Sequence, residues 1–181
     1  MSQPAVSVGG MTTHDEKPTL RPARPGDAAA VARLWESAWR DAHLGHVSDA
    51  LVAMRTPESF AARAAARVPE TAVAEVGGEI AGFVTAGGDE VEQLFVAAEH
   101  RGTGVAALLL AEGERRVAAA GHERVWLAVV TGNARARRFY ARQGWMDEGP
   151  LDYQAEGEDG PVTVPCHRYA KPVTGGGIRG A

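Results

Sequence analysis

The segment from residue 90 to residue 130 changes its hydrophobic pattern twice. It begins with EVEQLFV (90–96), a strand pattern, and passes a glycine-rich turn into a helical segment from Val105 to Ala120 that ends at Gly121. The next stretch, RVWLAVV (124–130), is apolar almost throughout, which is typical of a strand buried on both faces. A strand, a helix and a buried strand in succession require a sheet that helices cover.

The rest of the chain completes such a sheet. Further strands are predicted at 19–24, 71–76, 80–86, 145–153 and 162–170, and further helical stretches at 25–39, 48–54, 56–67 and 133–144. The residues predicted to cap helices are Asp27, Thr56 and Asn133. The predicted fold class is α/β (α+β), with a mixed central sheet of about six to seven strands and about four helices on its faces. The element order is β-αα-ββ-β-α-β-α-β-β.

One domain, residues 18–171, is predicted between a disordered N-terminal tail (1–17) and a flexible C-terminal tail (172–181). The formal net charge of −4 argues against non-specific binding to nucleic acid. The single cysteine, Cys166, excludes an intramolecular disulfide and a metal site with several cysteines. No apolar run has the length of a membrane span and no secretory signal is evident, so a cytoplasmic protein without a membrane partner is expected.

The turn RGTG (101–104), between the strand 90–96 and the helix that starts at Val105, has several interpretations. It can be a plain turn, or a cradle for an anion, because glycines let the backbone approach a ligand and the amides at a helix N-terminus attract phosphate. A nucleotide-triphosphatase loop needs a lysine that is missing here. GTGVAA matches the dinucleotide fingerprint G-x-G-x-x-A, but four residues, Ala97 to His100, separate it from the strand. A dinucleotide-dependent oxidoreductase is therefore the weaker alternative.

A third interpretation uses three motifs together. RGTGVA fits R-x-x-G-x-A, it follows VEQLFV, and NARARRFYARQGW comes some 30 residues later. In this order and spacing the chain resembles the GCN5-related N-acetyltransferase (GNAT) family over residues 19–171, most strongly over 91–146. The resemblance implies an acyltransferase that uses acetyl-CoA as co-substrate, without a metal. It would acetylate a primary amine of a small molecule or peptide directly, and a homodimer is expected because family members often pair.

The resemblance also implies which residues hold the cofactor. Backbone amides of the loop and helix start would bind the pyrophosphate of CoA, namely those of Arg101, Gly102, Thr103, Gly104, Val105, Ala106 and Ala107. The strand would splay from its neighbour, so that the main chain of Leu94, Phe95 and Val96 pairs with pantetheine. The helix predicted at 133–144 would add Asn133, Ala136, Arg138 and Tyr140.

The predicted catalytic residues are Tyr140, Glu92 and Glu90. By the resemblance, Tyr140 lies near the thioester sulfur, where a phenol can protonate a leaving thiolate; the alternative is a core aromatic beside Phe139. The amine must lose a proton to a base. Glu92 is the preferred candidate for this base, and Glu90 is the second candidate. Both glutamates are predicted to share one strand face with Leu94 and Val96, and the alternative is a pair of solvated carboxylates.

The sequence indicates least about the residues that bind the acceptor amine. The helical region 35–67 is where family members shape the acceptor pocket, and Trp39 and His43 are the candidate substrate-binding residues. His43 and His46 lack a third ligand, so a metal site is not predicted. A catalytically inactive module that binds and senses acyl-CoA is the alternative of a different functional class.

Overall fold

Seven strands form one mixed sheet in the computed structural model, which describes residues 16–157 and 160–174. The strands are β1 (Thr19–Pro22), β2 (Thr71–Val76), β3 (Glu79–Gly87), β4 (Glu90–Val96), β5 (Arg124–Val130), β6 (Met146–Ala155) and β7 (Val162–Pro172). Their spatial order is β1-β2-β3-β4-β5-β7-β6. All neighbouring strands are antiparallel except β4 and β5, which are parallel. The predicted fold class is confirmed.

Five helices cover the sheet within the described residues. They are α1 (Ala28–His43), α2 (Asp49–Met54), α3 (Pro57–Ala66), α4 (Val105–Ala119) and α5 (Ala134–Arg142). The two stretches predicted as further helix, 48–54 and 56–67, form α2 and α3, and Pro57 stands in the first turn of α3 as predicted. Helix α1 continues beyond its predicted end at Trp39 to His43.

Three helices begin with a side-chain cap. Ser48 accepts a hydrogen bond from the Leu51 amide of α2, Thr56 from the Ser59 amide of α3, and Asn133 from the Ala136 amide of α5. The predicted cap of α1 is wrong, because the Asp27 carboxylate bonds elsewhere. It accepts from the Arg24 amide at 2.7 Å and from the Arg21 guanidinium at 2.6 and 2.9 Å. Asp27 thus ties the start of α1 to β1.

Alternate strand residues face two different helix layers, as the two-residue period of a strand requires. In β2, Ala72 and Ala74 pack in the cluster that contains α4, while Val73 packs in the cluster that contains α1, α2 and α3. Trp35 of α1 stands at the centre of the second cluster, with its ring centroid 5.6 Å from that of Phe60. The sheet is therefore covered on both faces.

A β-bulge in β4 overturns one prediction about that strand. Thr85 of β3 pairs with Gln93 and Ala86 pairs with Val91, so Glu92 is an extra residue without an opposite partner. The extra residue changes the phase of the alternation. Leu94 and Val96 consequently pack in the α4 cluster with Val91. On the opposite face, Glu90 contacts Tyr153 and Glu92 contacts Arg67. The prediction that all four share one face is wrong.

The C-terminal boundary of the domain lies beyond the predicted one. Strand β7 runs to Pro172, and the buried Val173 donates its N–H to the Glu123 carbonyl oxygen at 2.9 Å. Most of the two predicted tails, residues 1–15 and 175–181, lies outside the described residues. Among the helices described, none has the length and apolar character to cross a bilayer.

Gly82 of β3 offers a test of how closely helix α4 and the neighbouring strand β4 approach β3. A Cβ at this position would lie 2.8 Å from Leu109 Cδ1 and 2.8 Å from the Phe95 carbonyl oxygen. We expect Gly82→Ala to lower the free energy of unfolding by about 1–3 kcal/mol in urea titrations, because the added methyl has no room. The control is Gly26→Ala, where no atom lies within 4 Å. Equal stabilities of the two variants would contradict this packing.

Candidate active site

The two parallel strands at the centre of the sheet separate soon after they meet. Glu90 is the residue of β4 that pairs with β5, opposite Trp126, and the Trp126 amide donates to the Asp89 carbonyl oxygen at 3.0 Å. From there to Val96, β4 pairs with β3 alone within the described residues. The gap opens into a cavity of about 480 Å³, called the groove below. The splay expected from the family resemblance is present.

Main-chain donors of β4 point into the groove. The Ala97 amide donates to the Ala81 carbonyl oxygen of β3 at 2.9 Å. Because successive amides of an extended strand point to opposite sides, the amides of Val96 and Leu94 point away from β3, toward the missing partner. These two N–H groups can therefore bind an extended ligand as an added strand would.

The loop between β4 and α4 adopts a conformation that requires glycine. Gly102 has a φ of 79° and Gly104 a φ of 91°, in the left-handed region that side chains disfavour. No atom lies within 4 Å of the position a Cβ would take at either residue. The loop thus presents bare backbone to open space at the end of the groove.

Amides of this loop and of the first turn of α4 are available to a ligand. The first helical bond of α4 runs from the Leu108 amide to the Gly104 carbonyl oxygen, and no side chain caps the helix. In the described part of the chain, the amides from Gly102 to Ala107 find no protein acceptor. Together with the helix dipole they form a site for an anion such as a diphosphate.

Arg101 differs from the rest of the predicted loop. Its amide donates to the Ala98 carbonyl oxygen at 3.3 Å, so the prediction that this N–H binds the diphosphate is corrected. Its guanidinium forms an ion pair with Asp41 of α1 at 2.8 Å. On the opposite side of the groove, the His46 ring contacts Gly132 so closely that a Cβ there would collide with it. The end of α1 and the following loop therefore contact both walls of the groove.

Two other loop residues predicted at the site turn their side chains elsewhere. The Thr103 hydroxyl donates to the His100 carbonyl oxygen at 2.6 Å, and Val105 is buried in the core. Only their main chain can contribute. Leu94, Phe95, Ala106 and Ala107 line the groove, and so do Val96 and Gly104.

Helix α5 forms the wall opposite β4. Asn133 uses its oxygen to cap the helix, which leaves its NH₂ group for the groove that it lines. Ala136 also lines the groove. Arg138 is exposed and outside the lining, whereas Arg135 and Arg142 are part of it. These two arginines have no distinguishing sequence pattern within the basic helix.

Tyr140 is buried at the wall of the groove. Its ring packs against those of Phe139 and Trp145, with centroids 5.2 and 6.0 Å away. Both Phe139 and Tyr140 line the groove. Burial raises the pKa of Tyr140, so its hydroxyl stays protonated and can donate a hydrogen bond. That hydroxyl makes no hydrogen bond to a described residue.

A second cavity of about 440 Å³, called the side pocket below, lies on the α1–α3 face of the sheet. It shares part of its lining with the groove, including His43, Glu92 and Gln93. Trp39 lines the side pocket, and its ring stacks on that of His43 at a centroid distance of 4.7 Å. Both candidate substrate-binding residues thus lie at the side pocket.

His43 lies at the junction of the two cavities as a neutral imidazole. Burial lowers its pKa to about 4. Its Nδ1 lies 2.9 Å from the Trp39 carbonyl oxygen, which can only accept, so Nδ1 carries the proton. Nε2 is left without a proton.

The two glutamates of β4 stand side by side in the side pocket. Glu90 accepts a hydrogen bond from the Tyr153 hydroxyl at 3.1 Å. Burial, assisted by the nearby charge of Glu92, raises the pKa of Glu90 to about 7, although the Tyr153 bond opposes this shift. Glu92 forms an ion pair with Arg67 and lines both cavities.

Cys166 and His167 do not form a nucleophilic pair. Cys166 is buried at the side pocket, where burial raises the pKa of its thiol to about 11. His167 lies on the other side of β7, with Nδ1 2.9 Å from Asp147 Oδ1. Within the described residues there is no cluster of three side chains that could hold a metal ion.

Comparisons with known proteins identify a family. The model of the acetyltransferase (GNAT) family matches residues 29–145. No curated protein matches the sequence.

Solved structures share the fold over most of the chain. A GCN5-related N-acetyltransferase from Rhodopseudomonas palustris is 23% identical with a TM-score of 0.69, and the match covers 91% of this chain and 100% of the other. PaiA N-acetyltransferase from Thermoplasma acidophilum, in complex with coenzyme A, is 15% identical with a TM-score of 0.65, over 86% and 99%. YncA, a putative acetyltransferase from Salmonella typhimurium with its cofactor acetyl-CoA, is 19% identical with a TM-score of 0.65, over 91% and 99%.

The raised pKa of Glu90 predicts how stability depends on pH. Between the ordinary pKa of a glutamate and about pH 7, the folded protein keeps a proton on Glu90 that the unfolded chain has released. The free energy of unfolding therefore falls as the pH rises through this window. In urea titrations at pH 5 and pH 8, we expect this fall to be smaller in Glu90→Gln than in the wild type. The control Glu99→Gln, at an exposed site, should follow the wild type; a Glu90→Gln variant that also follows it would contradict the buried carboxyl.

Proposed function

Because the chain belongs to the GNAT family of acetyltransferases, and is thus an acyltransferase, we propose that it transfers an acetyl group from acetyl-CoA directly to a primary amine. The observation that carries the proposal is a pair of unpaired amide sets along one groove, those of Leu94 and Val96 at the splayed edge of β4 and those from Gly102 to Ala107 at the start of α4. The CoA and acetyl-CoA complexes of PaiA and YncA, which share the fold, support the choice of donor.

The groove offers suitable partners along the length of CoA. In the proposal, the amides from Gly102 to Ala107 hold the diphosphate, and the amide of Val96, next to the loop, pairs with the pantetheine arm. The NH₂ group of Asn133 adds a donor from the opposite wall. Arg135 and Arg142 supply positive charge beside the phosphates.

Bound acetyl-CoA would supply the acetyl group as an activated thioester. The amide of Leu94, which is nearer to Glu92 and farther from the loop than that of Val96, would donate a hydrogen bond that polarises the thioester carbonyl. Tyr140, kept protonated by burial, would donate a hydrogen bond to the departing sulfur and stabilise its developing negative charge. Neither role requires a covalent bond between the protein and the acetyl group.

The acceptor amine must be a free base when it attacks, so the side pocket has to accept a proton. A carboxyl group with a pKa of about 7 is half ionised at neutral pH and is well suited to this task, which favours Glu90 as the general base, acting through water. Glu92 lines both cavities and would attract the ammonium form to the junction. The division of roles between the two glutamates is part of the proposal.

A CoA-binding sensor without activity would use the same groove. It would have no use for a protonated Tyr140 at the groove wall or for two carboxylates beside it. Incubation with acetyl-CoA and a set of amines, with free thiol as the readout, separates an enzyme from a sensor.

The first test concerns the loop. In Gly104→Ala, the added methyl occupies the space where the diphosphate is proposed to lie, so the dissociation constant of CoA, measured by calorimetry, should rise roughly ten- to a hundredfold. Gly121→Ala is the matched control: its φ of 92° equals that of Gly104 within a degree, and it lies at the other end of α4. A similar loss in both variants would point to a general folding defect and against the loop as the site.

The second test concerns Tyr140. Tyr140→Phe keeps the ring packing but removes the hydrogen-bond donor, so kcat should fall by roughly 10²-fold or more, while the dissociation constant of acetyl-CoA stays the same. Tyr169→Phe is the control, since its ring is also buried and lies 6.1 Å from that of Tyr140, outside the groove lining. Unchanged turnover of Tyr140→Phe would remove Tyr140 from the mechanism.

A further inference from the structure

The side pocket has two chemically different ends. Glu92 belongs to the lining of the groove as well as of the pocket, so the acidic end adjoins the place where the thioester is proposed to lie. Arg55 and Arg63 line the pocket and are outside the lining of the groove, so the basic end is the remote one. The volume of about 440 Å³ is in the usual range for small-molecule sites.

Arg55 is a buried cation whose hydrogen bonds are incomplete. Only 6% of the surface of Arg55 is exposed. Nη1 donates to the main-chain oxygen of Glu156 at 3.0 Å, while the buried Nε has no acceptor in the described part of the chain. No carboxylate of the described residues forms an ion pair with this guanidinium. A buried charge without a partner carries a large desolvation cost, so this arrangement favours an anionic ligand.

Arg63 adds a second cation beside the first. Its guanidinium lies 4.5 Å from the centroid of the Trp35 ring. The carboxylate that reaches it is that of Glu156 at 3.9 Å, on a side chain that is 87% exposed and therefore screened by water. Burial and then the charge of Arg55 lower the pKa of Arg63 to about 10. The two cations repel each other, which an anion placed between them would relieve.

At the acidic end of the side pocket, both carboxylates already have partners within the protein. Glu92 is already paired with Arg67, and Glu90 accepts from Tyr153. These two carboxylates therefore leave the positive charge of Arg55 and Arg63 uncompensated. Of the two, Glu90 forms no ion pair with a cation of the described residues, so it can bind an ammonium group in the pocket.

We propose that the acceptor is a small amine that also carries a carboxylate, such as a free amino acid. Its carboxylate would bind Arg55 and Arg63, and its amine would lie beside Glu90 and Glu92 at the mouth of the groove. A planar guanidinium matches the geometry of a carboxylate and binds it with two parallel hydrogen bonds. This inference rests on the proposed acetyl transfer and narrows its acceptor.

The test compares amines that differ only in the carboxylate. With saturating acetyl-CoA, kcat/KM is measured by thiol release for the L-amino acids, for their carboxamides and for the corresponding decarboxylated amines. We expect the best amino acid to exceed its carboxamide by roughly ten- to a hundredfold, the effect of one charge-assisted contact. The same compounds are titrated into the CoA-loaded protein while its Tm is followed, and only the acids should raise it.

Variants connect this preference to the two arginines. Arg63→Met removes the guanidinium over Trp35 but keeps a long apolar side chain at this position, and it should bring the ratio of acid to carboxamide close to one. Arg55→Lys keeps the positive charge and removes the planar guanidinium, so the ratio of acid to carboxamide should fall only in part. The same substitution weakens the hydrogen bond to the Glu156 main-chain oxygen. Arg33→Met, at an exposed position of α1, is the control and should preserve the ratio.

The outcomes separate this inference from the function on which it rests. If carboxamides and simple amines react as well as the acids, and Arg63→Met changes nothing, acetyl transfer stands and the carboxylate site is refuted. If CoA does not bind and no amine releases thiol, the proposed function fails and the inference with it. If CoA binds but turnover is absent, the Tm titration decides, and equal effects of acids and carboxamides overturn the inference.

Discussion

The site depends on the missing hydrogen bonds between β4 and β5. Two parallel strands in the middle of a sheet normally pair along their whole length, because unpaired backbone groups in the interior are costly. Here they pair at Glu90 and then part, so the edge of β4 up to Val96 faces a cavity instead of a strand. A ligand with amide groups along its length satisfies that edge. The same strand leads directly into the loop and helix start whose amides suit a diphosphate.

The bulge at Glu92 gives β4 a second function. An extra residue in one strand reverses which side chains face which layer. Beyond the bulge, Leu94 and Val96 pack with α4, while Glu90 and Glu92 are directed to the layer of α1 and α3. One strand therefore supplies main-chain contacts to the groove and carboxylates to the side pocket. The two cavities meet along this strand, which is the arrangement that a transfer between two substrates needs.

Local patterns predicted most of the fold, and long-range contacts account for what they missed. The bounds of β2, β4 and β5 agree with their sequence patterns, because each stretch has a clear strand pattern between glycine turns or loops. The bulge has no local signal, since Glu92 is an ordinary strand residue in EVEQLFV, and the shared-face prediction failed there. Arg55 and Arg63 also gave no signal. Burial beside residues of β4 and β6, distant in the chain, distinguishes them from other surface arginines.

The most direct test of the account is a titration of the ¹⁵N-labelled protein with CoA, followed by the chemical shifts of its backbone amides. We expect saturable shifts for the amides from Gly102 to Ala107 and for Leu94 and Val96, with little change at Ala119, Ala120 and Gly121, at the far end of α4. If CoA saturates the protein while these amides keep their shifts and others move, the unpaired edge of β4 is not the cofactor site, and the account is wrong.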